Sequence, residues 1–224
     1  MGDKRAEVIR LLNVLRGYYS LRDLQGLLGV PYQTLWKYVN LLSVPEERTC
    51  ERILSRISEL NLVERVVKEE ISRNEGSVWS LTRKSGFLLL FALAARSFLK
   101  GARVSTVVPM SELGIALGAA VAVELHIDIC PALSNPPVEK RGHLIITYES
   151  HGKVVALALP RACLKEKGRV LLVDPLIEDF ERVKAFTYAL RHARTSLHGI
   201  MAIKIGGAVK ERLQEEGIRY YSLA

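Results

Sequence analysis

The chain has 224 residues, 49% of them hydrophobic and 25% charged, and a formal net charge of +8. Such a balance excludes a disordered or fibrous chain, and the length accommodates two ordinary domains. Cys50, Cys130 and Cys163 stand far apart, with no CxxC and no His at metal-ligand spacing, so neither a metal site nor a disulfide framework is expected and the thiols suggest a reducing compartment.

The first 45 residues carry six basic and three acidic side chains. A basic segment attracts polyanions, nucleic acid first among them. The start, MGDKRAEVIRLL, has no signal-peptide pattern, which points to the cytoplasm. From Asp3 to Tyr18, Val8, Leu11, Leu12 and Leu15 recur at helical spacing and predict an amphipathic helix. In the next stretch, SLRDLQGLLGVPYQTLWKYVNLL, Ser20 can cap a helix through Leu28, Gly29 permits a left-handed turn, and Pro31 opens a second helix. Leu24, Leu28, Val30, Leu35, Tyr38 and Leu42 then face inward, which is the pattern of a helix-turn-helix. Gln25 stands where a small residue usually lets the two helices approach, so its side chain must tilt outward.

The outward set Tyr32, Gln33, Thr34, Trp36 and Lys37 supplies the candidate base-contacting residues, since Gln pairs with adenine and Lys reaches guanine or phosphate. A helix from Pro45 to Leu60 is expected to bury Ile53, Ile57 and Leu60. Beyond it, arms at Leu62–Val67 and Ser77–Leu81 around the polar tip Lys68–Gly76 predict a β-hairpin wing, from which Arg65, Lys68 and Arg73 would touch phosphates. Residues 1–84 are thus read as a winged helix-turn-helix domain whose partner is double-stranded DNA.

From residue 85 onward strand and helix alternate, which predicts an α/β domain over 85–224 with a mostly parallel, Rossmann-like sheet covered on both faces. The apolar run Gly86–Ala95 is too short to cross a bilayer and reads as a buried helix, so no membrane partner is expected. Strands are expected at 103–108, 126–131, 170–173 and 200–205, with a strand pair around Gly152 and helices at 112–124, 180–193 and 207–216. None of the five histidines stands near a plausible nucleophile, and no catalytic constellation is inferred. The basic run RACLKEKGR at 161–169 reads as a solvated linker that can also meet DNA or a phosphorylated ligand.

The strand-loop-helix RVLLVDPLIEDFERVKAFTYALRHA at 169–193 resembles the diphosphate-sugar loop of type I phosphoribosyltransferases, with Asp174 at the first of that family's two acidic positions. The segment 104–125 resembles the family's pyrophosphate loop and following helix, with Ser111, Glu112, Leu113 and Gly114 at the turn. The strand pair at 143–159 stands where the family carries its hood. The resemblance implies a ligand site formed by Ser111, Glu112, Leu113, Gly114, Asp174, Glu178 and Asp179, with phosphoribosyl diphosphate or a nucleotide as effector and no cofactor required. The pattern breaks after Asp174: Pro175 replaces the second acid, and Glu178, Asp179, Phe180 and Glu181 replace the Thr/Gly run. Small residues let backbone N–H groups converge on a phosphate, whereas carboxylates repel it.

Fusion of a helix-turn-helix to such a domain resembles the purine operon repressors and the archaeal regulators with an orotate-phosphoribosyltransferase-like domain. The expectation is therefore a homodimeric transcriptional regulator without transferase activity, with the 86–99 helix and the C-terminal domain as dimer surfaces. The alternatives are an active phosphoribosyltransferase with an appended helical domain, and a scaffold using its wing for protein contacts.

Overall fold

The computed structural model describes residues 4–73, 77–138, 142–150 and 152–224. Helices α1 (Lys4–Leu15), α2 (Leu21–Leu28), α3 (Tyr32–Val39), α4 (Glu47–Glu59) and α5 (Leu62–Arg73) form the N-terminal part. Ser20 closes a capping box with Asp23 at the start of α2, and Gly29 ends the helix in the left-handed region at φ 64°. Pro31, at the N-cap of α3, offers no side-chain cap. The exposed Gln25 supplies one instead: its Oε1 accepts a hydrogen bond from the Tyr32 backbone N–H at 2.7 Å. The outward tilt that its position required is thus used to anchor the second helix.

The expected wing is not there. Residues 62–73 are helical, with Leu62, Val66, Val67 and Glu70 buried, and Val78–Arg83 is a 3₁₀ turn. The pattern LVERVV repeats its apolar pairs four residues apart, which is helical spacing rather than the alternation a half-buried strand requires. Residues 74–76 of the expected tip lie outside the described residues. Leu42 also departs from expectation: α3 ends at Val39, which takes the buried place, and Leu42 is exposed.

The remainder alternates as read. Helix α6 (Ser85–Phe98) leads to β1 (Thr106–Pro109), a 3₁₀ turn at Glu112–Gly114, α7 (Ile115–Leu125) and β2 (Asp128–Ile129). An antiparallel hairpin of β3 (His143–Ser150) and β4 (Lys153–Pro160) follows, then β5 (Arg169–Ile177), α8 (Phe180–His192), β6 (Ser196–Ile205), α9 (Gly207–Glu215) and β7 (Tyr220–Ser222). The five-stranded sheet runs β2-β1-β5-β6-β7, and every pairing in it is parallel. Neighbouring residues of the central strands enter opposite cores: Leu171, Val173, Met201 and Ile203 on one face, Val170, Leu172, Ile200 and Ala202 on the other. This double burial is why these strands read as continuous apolar runs.

The first core does not stop at the sheet. Leu12, Leu15, Leu24 and Leu35 of the helical part belong to the same cluster as Phe87, Leu90 and Phe91 of α6 and Leu117 and Val121 of α7. Phe87, Leu90, Phe91, Ala92, Leu93 and Ala95 of α6 are thus covered within the chain, while Leu88, Leu89, Ala94 and Phe98 are only partly buried. Glu124, buried near the end of α7, joins the two parts by charge. It accepts from Arg10 Nη1 at 2.7 Å and pairs with Arg96 Nε at 2.7 Å.

Cys130 and Cys163 form a disulfide, with Cα atoms 5.7 Å apart, between the end of β2 and the turn after β4. This corrects the expectation of unpaired thiols. Their sequence separation of 33 hid a contact that arises only when the hairpin folds back onto the sheet. Cys50 is buried and takes part in no disulfide. Among the described residues, no helix is long and apolar enough to cross a membrane.

Candidate functional site

The carboxyl ends of β1 and β5 bring together most of the residues singled out from the ligand motifs. Ser111 Oγ accepts from the Gly114 N–H at 3.2 Å and also reaches the Asp174 carboxylate. Gly114 packs so tightly that an added Cβ would stand 3.1 Å from the Val173 carbonyl oxygen and 3.5 Å from Asp174 Cα. This close approach seats the 111–114 turn on β5. Glu112 turns away and accepts from the Ser134 N–H at 3.1 Å, and the Ser134 hydroxyl and backbone bonds hold its carboxyl below the usual carboxylate range. Leu113 is half exposed.

Asp174 is 3% exposed. Burial pushes its carboxyl above the ordinary value, opposed by the Arg182 guanidinium, by Ser111 and by the Leu176 N–H. Arg182, which no motif had marked, folds back from the first turns of α8. Its Nη1 lies 3.5 Å from Asp174 Oδ2, and its Nη2 donates to the Leu176 carbonyl at 2.6 Å. Tyr148 of the hairpin meets the same guanidinium, and burial raises its hydroxyl pKa. The one sequence signal for Arg182 is a basic residue directly after three carboxylates.

At the phosphate-loop segment strand and helix follow one another closely. Strand β5 stays paired with β6 through Leu176–Lys204 and Ile177–Ile205, so Glu178 and Asp179 alone separate strand from helix. Asp179 caps α8 with its own carboxylate, Oδ1 accepting from the Glu181 N–H at 2.9 Å. One N–H of the helix N-terminus that would hold a phosphate is thus taken from within, and Glu178 and Glu181 flank it. At this junction Asp174 Oδ2, Asp179 Oδ2 and Arg182 Nε are buried without a hydrogen-bond partner.

A cavity of about 1060 Å³ lies along α8 instead, lined by Tyr148, Lys184, Tyr188, Arg191, His198 and Arg219 among others. None of the seven residues expected at the ligand site lines it. Burial, then Arg219 and Arg169, lowers the His198 pKa, so its imidazole is neutral near pH 7.

On the helical part, Tyr32, Gln33, Trp36 and Lys37 are exposed on one side of α3, with Thr34 half-buried. Arg65 and Lys68 are exposed on α5 rather than on a wing, and Arg73 pairs with Glu69 at 3.3 Å and with Glu70 at 3.6 Å.

No protein-family model matches the sequence, and no curated protein matches it. The structure is similar to adenine phosphoribosyltransferases. With the enzyme of Thermoanaerobacter pseudethanolicus the TM-score is 0.56 at 17% identity, over 64% of this chain and 83% of that one. The Giardia lamblia enzyme, solved with 9-deazaadenine, gives 0.57 at 17% identity over 64% and 82%. That of Rhodothermus marinus gives 0.54 at 16% over 62% and 80%. The likeness is one of fold. It supports a phosphoribosyltransferase-like domain with a mostly parallel sheet and leaves the chemistry to the residues at its strand ends.

Proposed function

We propose that this chain is a DNA-binding transcriptional regulator in which a phosphoribosyltransferase-like domain, without transfer activity, serves as effector and dimerisation unit. The observation that carries the reading is the composition of α3: Leu35, Tyr38 and Val39 are buried while Tyr32, Gln33, Trp36 and Lys37 stand exposed on a helix anchored by Gln25. Such a helix can lie in a major groove without a wing beside it. A homodimer suits the reading, since one recognition helix contacts one half-site.

The absence of transfer follows from the β5–α8 junction. A phosphate brought to Asp179 would meet its carboxylate and that of Glu178, at roughly 1–4 kcal/mol per contact for like charges near a protein surface, while Glu181 is paired with Lys184 at 3.1 Å. Arg182 is committed to Asp174 and the Leu176 carbonyl. A nucleotide or phosphoribosyl diphosphate effector would therefore bind weakly, through the 111–114 turn.

The second reading is an active phosphoribosyltransferase of nucleotide metabolism, and the likeness to the adenine enzymes over most of their length favours it. One experiment separates the two. The pure chain is titrated with duplex fragments that include its own promoter, at two salt concentrations, with and without phosphoribosyl diphosphate. In parallel it is incubated with phosphoribosyl diphosphate, magnesium and adenine, and pyrophosphate release is followed. Selective DNA binding without turnover is expected; turnover without selective binding would establish the enzyme instead.

A further inference from the structure

In a parallel sheet the loops entering the strands share one end of the molecule. Here the loops into β1, β5, β6 and β7, with Arg169 at the start of β5, hold Lys100, Arg103, Lys165, Lys167, Arg194 and Arg219. Glu166 and Glu216 are their acidic residues. With Asp128 at the start of β2, seven cations face three carboxylates, so this end carries a net four positive charges of the chain's eight. Lys165 pairs with Asp128 of β2 at 2.8 Å and Arg194 with Glu166 at 3.1 Å, while no ion pair engages Lys100, Arg103, Lys167 or Arg169 among the described residues.

Helices α6 to α9 end here, and their negative C-termini account for cations in a last turn, such as Arg191. They do not account for Arg103, Lys167 and Arg169, which stand on loops or a strand start.

The platform is stiff. Ser105 N–H donates to the Arg169 carbonyl at 2.8 Å, Lys167 N–H to the Arg194 carbonyl at 2.9 Å, and Ser196 N–H to the Gly168 carbonyl at 3.0 Å. Lys167 and Arg194 both hold left-handed backbones, at φ 58° and 55°, where glycine or asparagine would be the cheaper choice. Long cations are thus kept where the backbone disfavours them, which is a feature of functional positions.

We infer that this basic end of the sheet is a binding surface for the sugar-phosphate backbone of duplex DNA. Its cations run from β1 to β7, three strand spacings or about 14 Å, roughly the rise of four base pairs along a duplex axis. The most exposed side chains of these loops are mainly charged, the seven cations among them, while Ala102, Val104, Leu164 and Ile218 are partly buried. The surface extends the DNA-binding reading without resting on α3.

The test is fluorescence anisotropy with a random-sequence 20-base-pair duplex between about 50 and 200 mM salt, a range over which phosphate contacts dominate the response. The variant is Arg103→Ser/Lys167→Gly/Arg169→Ser, in which glycine relieves the left-handed strain and guards the fold. A salt slope lower by about 2–3, with affinity at least about tenfold weaker at 100 mM salt, is expected at about 0.9 per lost contact. An unchanged slope in a variant that melts at or above the parent temperature overturns the inference, as does a parent chain that does not bind the duplex at 50 mM salt. A Gln33→Ala/Lys37→Ala variant separates the readings. If it loses sequence preference while the triple variant behaves as the parent, α3 binds DNA and the basic end does not; the converse result removes the role of α3 and keeps that of the basic end.

Discussion

The two ends of the sheet are chemical opposites. At the carboxyl end, Asp174 is buried against the Arg182 guanidinium, Asp179 caps α8, and Glu112, Glu178 and Glu181 add further carboxylates, of which Glu112 is held by Ser134 and Glu181 by Lys184. At the amino end, cations outnumber acids and several have no ion-pair partner among the described residues. The carboxyl end of a parallel sheet is where this architecture ordinarily binds ligands. Here that end has been filled by the protein's own side chains, and the charge suited to an anionic partner lies at the other. The sheet determines where loops stand; the loops determine what can bind.

Several measurements sharpen or break this contrast. The largest effect is expected from the disulfide, because Cys163 ties the segment that enters β5 to the edge of the sheet. A Cys130→Ser/Cys163→Ser chain should lose about 3–4 kcal/mol of stability by the loop-closure estimate, read as a lower denaturant midpoint. A midpoint equal to that of the parent would show that the amino end needs no tether.

Next comes the closed carboxyl end. Arg182→Met leaves Asp174 buried without its counter-charge and should cost about 3 kcal/mol at pH 7. Asp174 already has a raised folded pKa, and losing Arg182 raises it further. Its contribution is therefore fully present below the unfolded value and is lost as pH rises through the folded one, so the variant's deficit should widen from pH 4 to pH 7. Asp174→Asn/Arg182→Met should recover most of the loss, and the double-mutant cycle gives the coupling. A pH-independent deficit would mean that the guanidinium is held by the Leu176 carbonyl and the hairpin alone.

Smaller changes probe the helical part and the basic end. Ser20→Ala removes the capping box of α2 and should cost about 1 kcal/mol. Arg194→Gly should leave stability unchanged or raise it by about 0.5 kcal/mol, since glycine adopts its backbone without strain. Thermal melts of both decide the matter, and a clear loss in Arg194→Gly would mean that its pair with Glu166 outweighs the strain.

The alternation of α6 to β7 was legible because each central strand is buried on both faces and each helix repeats at its own period. The turn of α2 into α3 was legible for a local reason, Gly29 followed by Pro31. Residues 62–73 were misread because LVERVV is short enough for a strand, and the neighbouring Gly76 suggested a hairpin. The spacing of four from Leu62 to Val66 and from Val63 to Val67 was the better guide, as the burial of Leu62, Val66 and Val67 demonstrates. At the carboxyl end the acids were visible, but the reach of Arg182 back to Asp174 is a tertiary contact that no spacing rule encodes. The basic end was hidden for a similar reason: its cations are scattered from residue 100 to residue 219, and parallel topology alone collects them.

The apolar cluster that runs from Leu12 through Phe91 to Val173 has a consequence for how the molecule comes apart. Removing the helical part would strip α6 and α7 of their cover and expose Phe87 and Phe91 to water, while Glu124 would lose Arg10. Cooperativity is set by such shared surfaces rather than by boundaries in sequence. Heating should therefore give one calorimetric peak spanning both parts, and a protease that cuts near residue 84 should yield fragments that stay associated rather than two independent folds.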